Sequence, residues 1–267
     1  MSAMTRTNTP TGIPAAPSRA TTIRRFLFRG EDQGHRRPAE NRGGSTARVR
    51  LRLLAAFLPV TAVLYVGAEA LNPRGTDQVV TSSATAFKLL PIAAAHSSQL
   101  YLSGALSVLA LGGLAVSYAA IAALVTGRGW VIATIAALLG GVGAFAGAML
   151  NVLVGVNLAA AASAHMTPIA AARFLVTSFG SVPSQVVEYV YFAGEYAAPV
   201  VMGVALWRSR TIPRWLAVLF TVGLEVAESM SAIGPKVVLF MLPFAAAMIL
   251  LAARIWQTAP PRTTSGS

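Results

Sequence analysis

Five glutamates stand in stretches otherwise fit for the interior of a membrane: Glu69, Glu188, Glu195, Glu225 and Glu228. They are five of only nine acidic residues in the chain. A carboxylate in hydrocarbon is costly, so such groups are rare and usually serve a proton, an ion or a substrate. Glu188 and Glu195 are two helical turns apart on nearly one face, and Glu225 and Glu228 are three residues apart. Neither pair has a lysine or arginine four residues on, and the segments from 100 to 232 that read as spans have no basic residue in their interiors. The spacing therefore predicts carboxyl groups that are protonated, hydrogen-bonded to Tyr, Ser, Asn or backbone, or matched by a bound cation.

Pro199 singles out Glu195. Proline has no N–H, so the carbonyl four residues earlier, that of Glu195, loses its usual helical partner. Carboxyl and free carbonyl then share one depth beside an expected kink, an arrangement that suits an ion site in a broken helix. The plainer alternative is that Pro199 only shapes the bundle. Asn151 and Asn157 are the other polar groups that could line a cavity. Gly143, Gly147, Asn151 and Gly155 repeat every four residues and form one face, where glycines let a neighbouring backbone approach. His96 and His165 are weak metal or haem candidates. They lack HExxH spacing and a second histidine in the same helix, and no GxSxG nucleophile motif exists. No cofactor is expected.

Composition says what must position these groups. The 267 residues are 55% hydrophobic and 11% charged, with a mean hydropathy of +0.64. That is far fewer charges than the roughly 25% of soluble domains. There is no cysteine, which excludes disulfides and thiolate chemistry. Eleven of the 21 basic residues fall in the first 52 positions, all arginine, so the net charge of +12 describes a tail rather than a basic stripe on a folded domain. Nucleic acid is accordingly not an expected partner. Residues 1–50 are rich in Arg, Pro, Thr and Gly and read as a disordered cytoplasmic tail. The stretch TTIRRFLFRG is not followed by the apolar core an export signal needs. Residues 258–267 read as a short disordered C-terminal tail.

Between them, residues 51–257 read as an all-α transmembrane domain of six helices, at 53–71, 100–125, 130–158, 186–207, 215–232 and 237–256. Two longer connections, 72–99 and 159–185, each contain a predicted short helix, 83–95 and 168–179. Both carry the string PIAAA (Pro91–Ala95 and Pro168–Ala172), which would fit a three-plus-three repeat, although the two halves otherwise match poorly. With the N-terminus inside, 17 basic residues face the cytoplasm and four (Arg74, Lys88, Arg173, Lys236) face out, so the positive-inside rule places both termini in the cytoplasm. Trp130, Trp207, Trp215 and Trp256 all fall at inner span ends, where tryptophan is favoured.

The strings NPRGTD, LPIAAAHSSQLYLSG, FAGEYAAPVVMGVALWRSR and PRWLAVLFTVGLEVAES are similar to those of a group of six-helix integral membrane proteins of actinobacteria with no settled function. The resemblance covers about residues 50 to 257. It implies an all-helical fold in a bacterial inner (cell) membrane and carries no activity with it. The residues point to a proton- or cation-coupled small-solute carrier or channel, with protons or a small cation and the lipid bilayer as partners. A non-catalytic membrane subunit or scaffold, or a metal- or haem-binding membrane protein, are the other readings; an enzyme is less expected.

Overall fold

The computed structural model describes residues 43–74, 80, 82–163, 166–229 and 236–258. Among the described residues there are eight α-helices: α1 (Gly43–Leu71), α2 (Ser83–Ala95), α3 (Ser97–Leu124), α4 (Trp130–Ser163), α5 (Pro168–Phe179), α6 (Val182–Ser209), α7 (Arg214–Ser229) and α8 (Val237–Thr258). No strand occurs among the described residues. The first described helix includes residues 43–50, which the sequence assigns to the tail. Residues 1–42 and 259–267, where the rest of both predicted tails falls, lie outside the described residues.

Among the described residues, five helices are long and apolar enough to cross a bilayer: α1, α3, α4, α6 and α8. The expected span at 215–232 corresponds to α7, whose 16 residues fall below the usual length. The two predicted short helices appear at 83–95 and 168–179. Both have oxygen caps on their first turns: Ser82 Oγ accepts from Thr85 N (3.2 Å) and Thr167 Oγ1 accepts from Ala170 N (3.3 Å). Such caps satisfy amides that have no helical partner. The PIAAA strings do not occupy equivalent places. One forms the last turn of α2 and the other the first turn of α5, which removes them as a mark of internal repetition.

The six longer helices pack in a closed circuit, each on the next: α1 on α3, α3 on α4, α4 on α6, α6 on α7, α7 on α8, and α8 back on α1. Lipid tails are as apolar as leucine, so helices in a membrane associate through close packing and hydrogen bonds rather than through burial from water. The contacts reflect that. Gly113 of α3 lies against Thr61 of α1, and the Thr61 and Ser117 hydroxyls are 3.3 Å apart in the interior. Gly223 of α7 lies against the backbone of Pro243 and Phe244 in α8. Edge-on aromatic pairs, Tyr65 with Phe244 and Tyr118 with Phe220, knit α1 to α8 and α3 to α7.

The circuit's two ends differ. At one end α2 and α5 pack on each other and on α4, around Leu89, Ala93, Leu150, Leu158, Ala172 and Leu175. They form a cap with its own apolar core. The opposite end carries arginine and tryptophan, with Arg52 over Trp256 (5.9 Å) and Arg214 over Trp207 (5.0 Å). The turn between α3 and α4 lies there too. Gly127 and Gly129 have φ of +71° and +107°, a region glycine enters without a Cβ penalty.

Candidate functional site

α4 and α6 meet at two glycines. A Cβ built on Gly143 would lie 2.7 Å from Gly194 Cα, so the backbones touch. On either side along α4, Gly140 makes room for the Tyr118 ring and Gly147 for the Tyr191 ring. The sequence pattern pointed to Gly143 and Gly147 and missed Gly140 and Gly194. It also included Gly155, which faces open space and supports no close approach.

This crossing places Glu195 inside the circuit. It lies at the middle of the 28-residue α6, about 20 Å from each end at 1.5 Å per residue. It lines a small cavity together with Leu111, Tyr118, Gly143, Tyr191 and Leu224. The space open to the centre of a water-sized sphere is about 10 Å³, near the minimum for one water. Tyr191, one turn away and only 5% exposed, donates its hydroxyl proton to Glu195 Oε1. The expected kink residue Pro199 is buried within α6, and its own carbonyl accepts from Thr221 Oγ1 of α7 (3.2 Å).

A second polar cluster sits at the cap end and joins the expected Glu69 and Asn151 to Asn72 and Arg74, which the sequence does not single out. Asn72 Nδ2 donates to Glu69 Oε2 (3.4 Å). Asn72 Oδ1 accepts from both the backbone N (3.0 Å) and Nε (3.2 Å) of Arg74. Arg74 Nη2 reaches across to Asn151 Oδ1 on α4 (3.5 Å). Arg74 is only 6% exposed, and its Nη1 is buried with no hydrogen-bond partner among the described residues. Burial lowers the pKa of its guanidinium, and the Glu69 carboxylate works in the opposite direction. Arginine keeps its proton in proteins, so Arg74 brings a positive charge into the cluster. The sequence reading had counted Arg74 only as a loop charge. In the fold it supplies Glu69 with the counter-charge that no neighbour along the helix offers.

Gly147 of α4 lies between the two clusters. Asn151 Nδ2 donates to Gly147 O (3.1 Å), and Gly147 is where the Tyr191 ring lies. Glu69, Asn72, Arg74 and Asn151 thus form one hydrogen-bonded group at the cap end, and Tyr191 with Glu195 a second at mid-helix, with Gly147 of α4 between them. The other expected residues stand apart. Asn157 is half-buried, and six residues at 3.6 per turn put it about 120° round α4 from Asn151. Glu188 is half-buried two turns nearer the cap and does not line the cavity. Glu225 is half-buried with Oε1 out of solvent; its neighbour Leu224 lines the cavity, but Glu225 does not. Glu228 lies in α7 with its side chain outside the described residues, so the proposed Glu225–Glu228 pairing does too.

His96 is exposed at the corner between α2 and α3, and His165 lies outside the described residues. No group of three or more His, Cys, Asp or Glu side chains able to hold a metal occurs among the described residues. Comparison with protein families, curated proteins and solved structures finds no match.

Proposed function

We propose that this chain is a proton- or cation-coupled small-solute carrier or channel, with Glu195 as the group that takes up and releases the coupling ion. The observation that carries the reading is a carboxyl group at the midpoint of a long apolar helix, turned into the circuit's interior and hydrogen-bonded by a buried tyrosine. A purely structural glutamate would be replaceable by leucine at less cost, whereas ionisable groups within spans are functional by default. Tyr191 donates a hydrogen bond to Glu195 Oε1, which sets a proton-bearing hydroxyl directly beside the carboxyl group. Asn151, Arg74 and Glu69 form the route toward the cap end, and Glu225 serves as a second carboxyl on the neighbouring helix.

In this reading α7 completes a six-span bundle, and the arginine-rich end faces the cytoplasm with both termini. The distribution of basic residues supports that orientation. The motif resemblance to actinobacterial six-helix proteins supports a bacterial cell membrane as its location.

The experiment is flux in proteoliposomes under an imposed pH gradient, followed with an entrapped pH-sensitive dye. Wild type should dissipate the gradient faster than protein-free vesicles, and Glu195→Gln should abolish that increment while the protein remains folded. Unchanged flux in Glu195→Gln would overturn the assignment.

A further inference from the structure

At the arginine-rich end, α6 and α7 enclose a groove of about 330 Å³, lined by Val200, Gly203, Val204, Trp207, Val218 and Val222, among others. Its floor exists because Gly203 has no side chain, which lets Thr221 of α7 press against α6. Apart from the Trp207 indole at the mouth, Thr221 carries the polar side chain of the lining, and its hydroxyl is already directed to Pro199 O (3.2 Å) and Ala217 O (3.1 Å). The groove thus offers a polar solute almost nothing. Its chemistry is that of hydrocarbon.

The mouth is different. Trp207 is 44% exposed, and the Arg214 guanidinium lies over its ring at 5.0 Å. Arg208, in the last turn of α6, and Arg210, its C-cap, are exposed beside it. Ser209 shapes that turn: its hydroxyl donates to Leu206 O (3.0 Å) and accepts from Thr211 N (3.3 Å). Arg210 has φ of +54°, uncommon for a residue with a Cβ, so the turn holds an arginine where glycine or asparagine would be easier.

We propose that this groove binds an anionic phospholipid, with an acyl chain along the valines and the headgroup phosphate among Arg208, Arg210 and Arg214. Charge complementarity selects this occupant. A second copy docked on the same face would bring two sets of three arginines together, because a two-fold contact pairs a patch with itself. An anionic headgroup meets both the charge and the apolar floor, and arginine matches phosphate geometry well. The proposal is independent of the function assigned to Glu195.

The test uses the full chain with Trp207 as sole tryptophan (Trp130→Phe, Trp215→Phe, Trp256→Phe) in phosphatidylcholine vesicles. These receive increasing amounts of phosphatidylglycerol or phosphatidylcholine with brominated chains, which quench tryptophan at close range. One arginine near an anionic surface contributes about a fivefold preference. Brominated phosphatidylglycerol should therefore reach half-maximal quenching at roughly fivefold lower mole fraction or less. Arg208→Gln, Arg210→Gln and Arg214→Gln together should bring the two curves together, and Val204→Phe with Val222→Phe should lower quenching by both lipids. Coincident curves in the starting protein, or a preference that survives loss of the arginines, would overturn the proposal. So would a Trp207 that neither lipid reaches, the sign of a protein partner on this face. Should the tryptophan substitutions impair folding, the wild-type chain extracted in mild detergent from an equal mixture of the two lipids provides the second measurement. It should retain phosphatidylglycerol in preference, and retention without preference would contradict the site.

Discussion

Adding one methyl group at Gly143 tests the helix crossing on which the interior site depends. The new Cβ would lie 2.7 Å from Gly194 Cα, 3.0 Å from Gly194 C and 3.3 Å from Glu195 N, all backbone atoms that cannot swing aside. Ordinary contact begins near 3.4 Å, so α4 and α6 must part by about 0.7 Å at this point (3.4 less 2.7). Overpacking of this kind costs roughly 1–3 kcal/mol. At about 2–4 °C per kcal/mol for a chain of this size, the midpoint of thermal unfolding in detergent should fall by roughly 2–12 °C. Gly155→Ala is the internal control, because nothing lies within 4 Å of its added Cβ. It should be neutral or gain up to about 1 kcal/mol from helix propensity. The parting also moves Glu195, so Gly143→Ala should lose flux as well as stability. Equal midpoints for Gly143→Ala and Gly155→Ala would refute the claim that the helices touch there.

Further expectations concern the two ends of the fold. Arg74→Lys keeps the charge but loses the planar fork that reaches Asn72 and Asn151 together. It should cost about 1.5–3 kcal/mol, the worth of hydrogen bonds to a charged group. A double-mutant cycle of Arg74→Met with Asn151→Ala should show coupling of at least about 0.5 kcal/mol in unfolding measurements; strict additivity would deny the contact. Gly129→Ala should destabilise by about 1 kcal/mol or more, because its φ is +107° and the added Cβ would sit 2.9 Å from Ala205 O. Unfolding of this variant at the wild-type midpoint would contradict the close approach of the α3–α4 turn to α6.

Much of the helical layout was legible in the sequence, and for local reasons. Ser82 and Thr167 stand directly before the two short helices as capping oxygens, and composition separates them from the long apolar runs. Gly143 and Gly147 could be found by their spacing. Their partners could not, because the Gly143–Gly194 contact depends on which helices are neighbours. Arg74 shows the same limit. In sequence it is a charge in a turn, and only the packing of that turn on α4 takes it to Asn151, 77 positions away. Tyrosine is among the hydrogen-bond partners the sequence predicts for these carboxyls, and the fold selects Tyr191, four residues before Glu195. Glu188 and Glu195 shared a helical face in sequence, yet depth separates them, since only Glu195 reaches the cavity between α3, α4, α6 and α7.

The central claim is that Glu195 exchanges a proton from inside the helix circuit. Difference infrared spectroscopy across a pH titration in lipid reads this directly, through the C=O stretch of a protonated carboxyl. The account predicts a carboxyl band in wild type that responds to pH, is missing in Glu195→Gln, survives in Glu225→Gln, and shifts in frequency in Tyr191→Phe as its hydrogen bond is lost. A titrating band left intact by Glu195→Gln would contradict it.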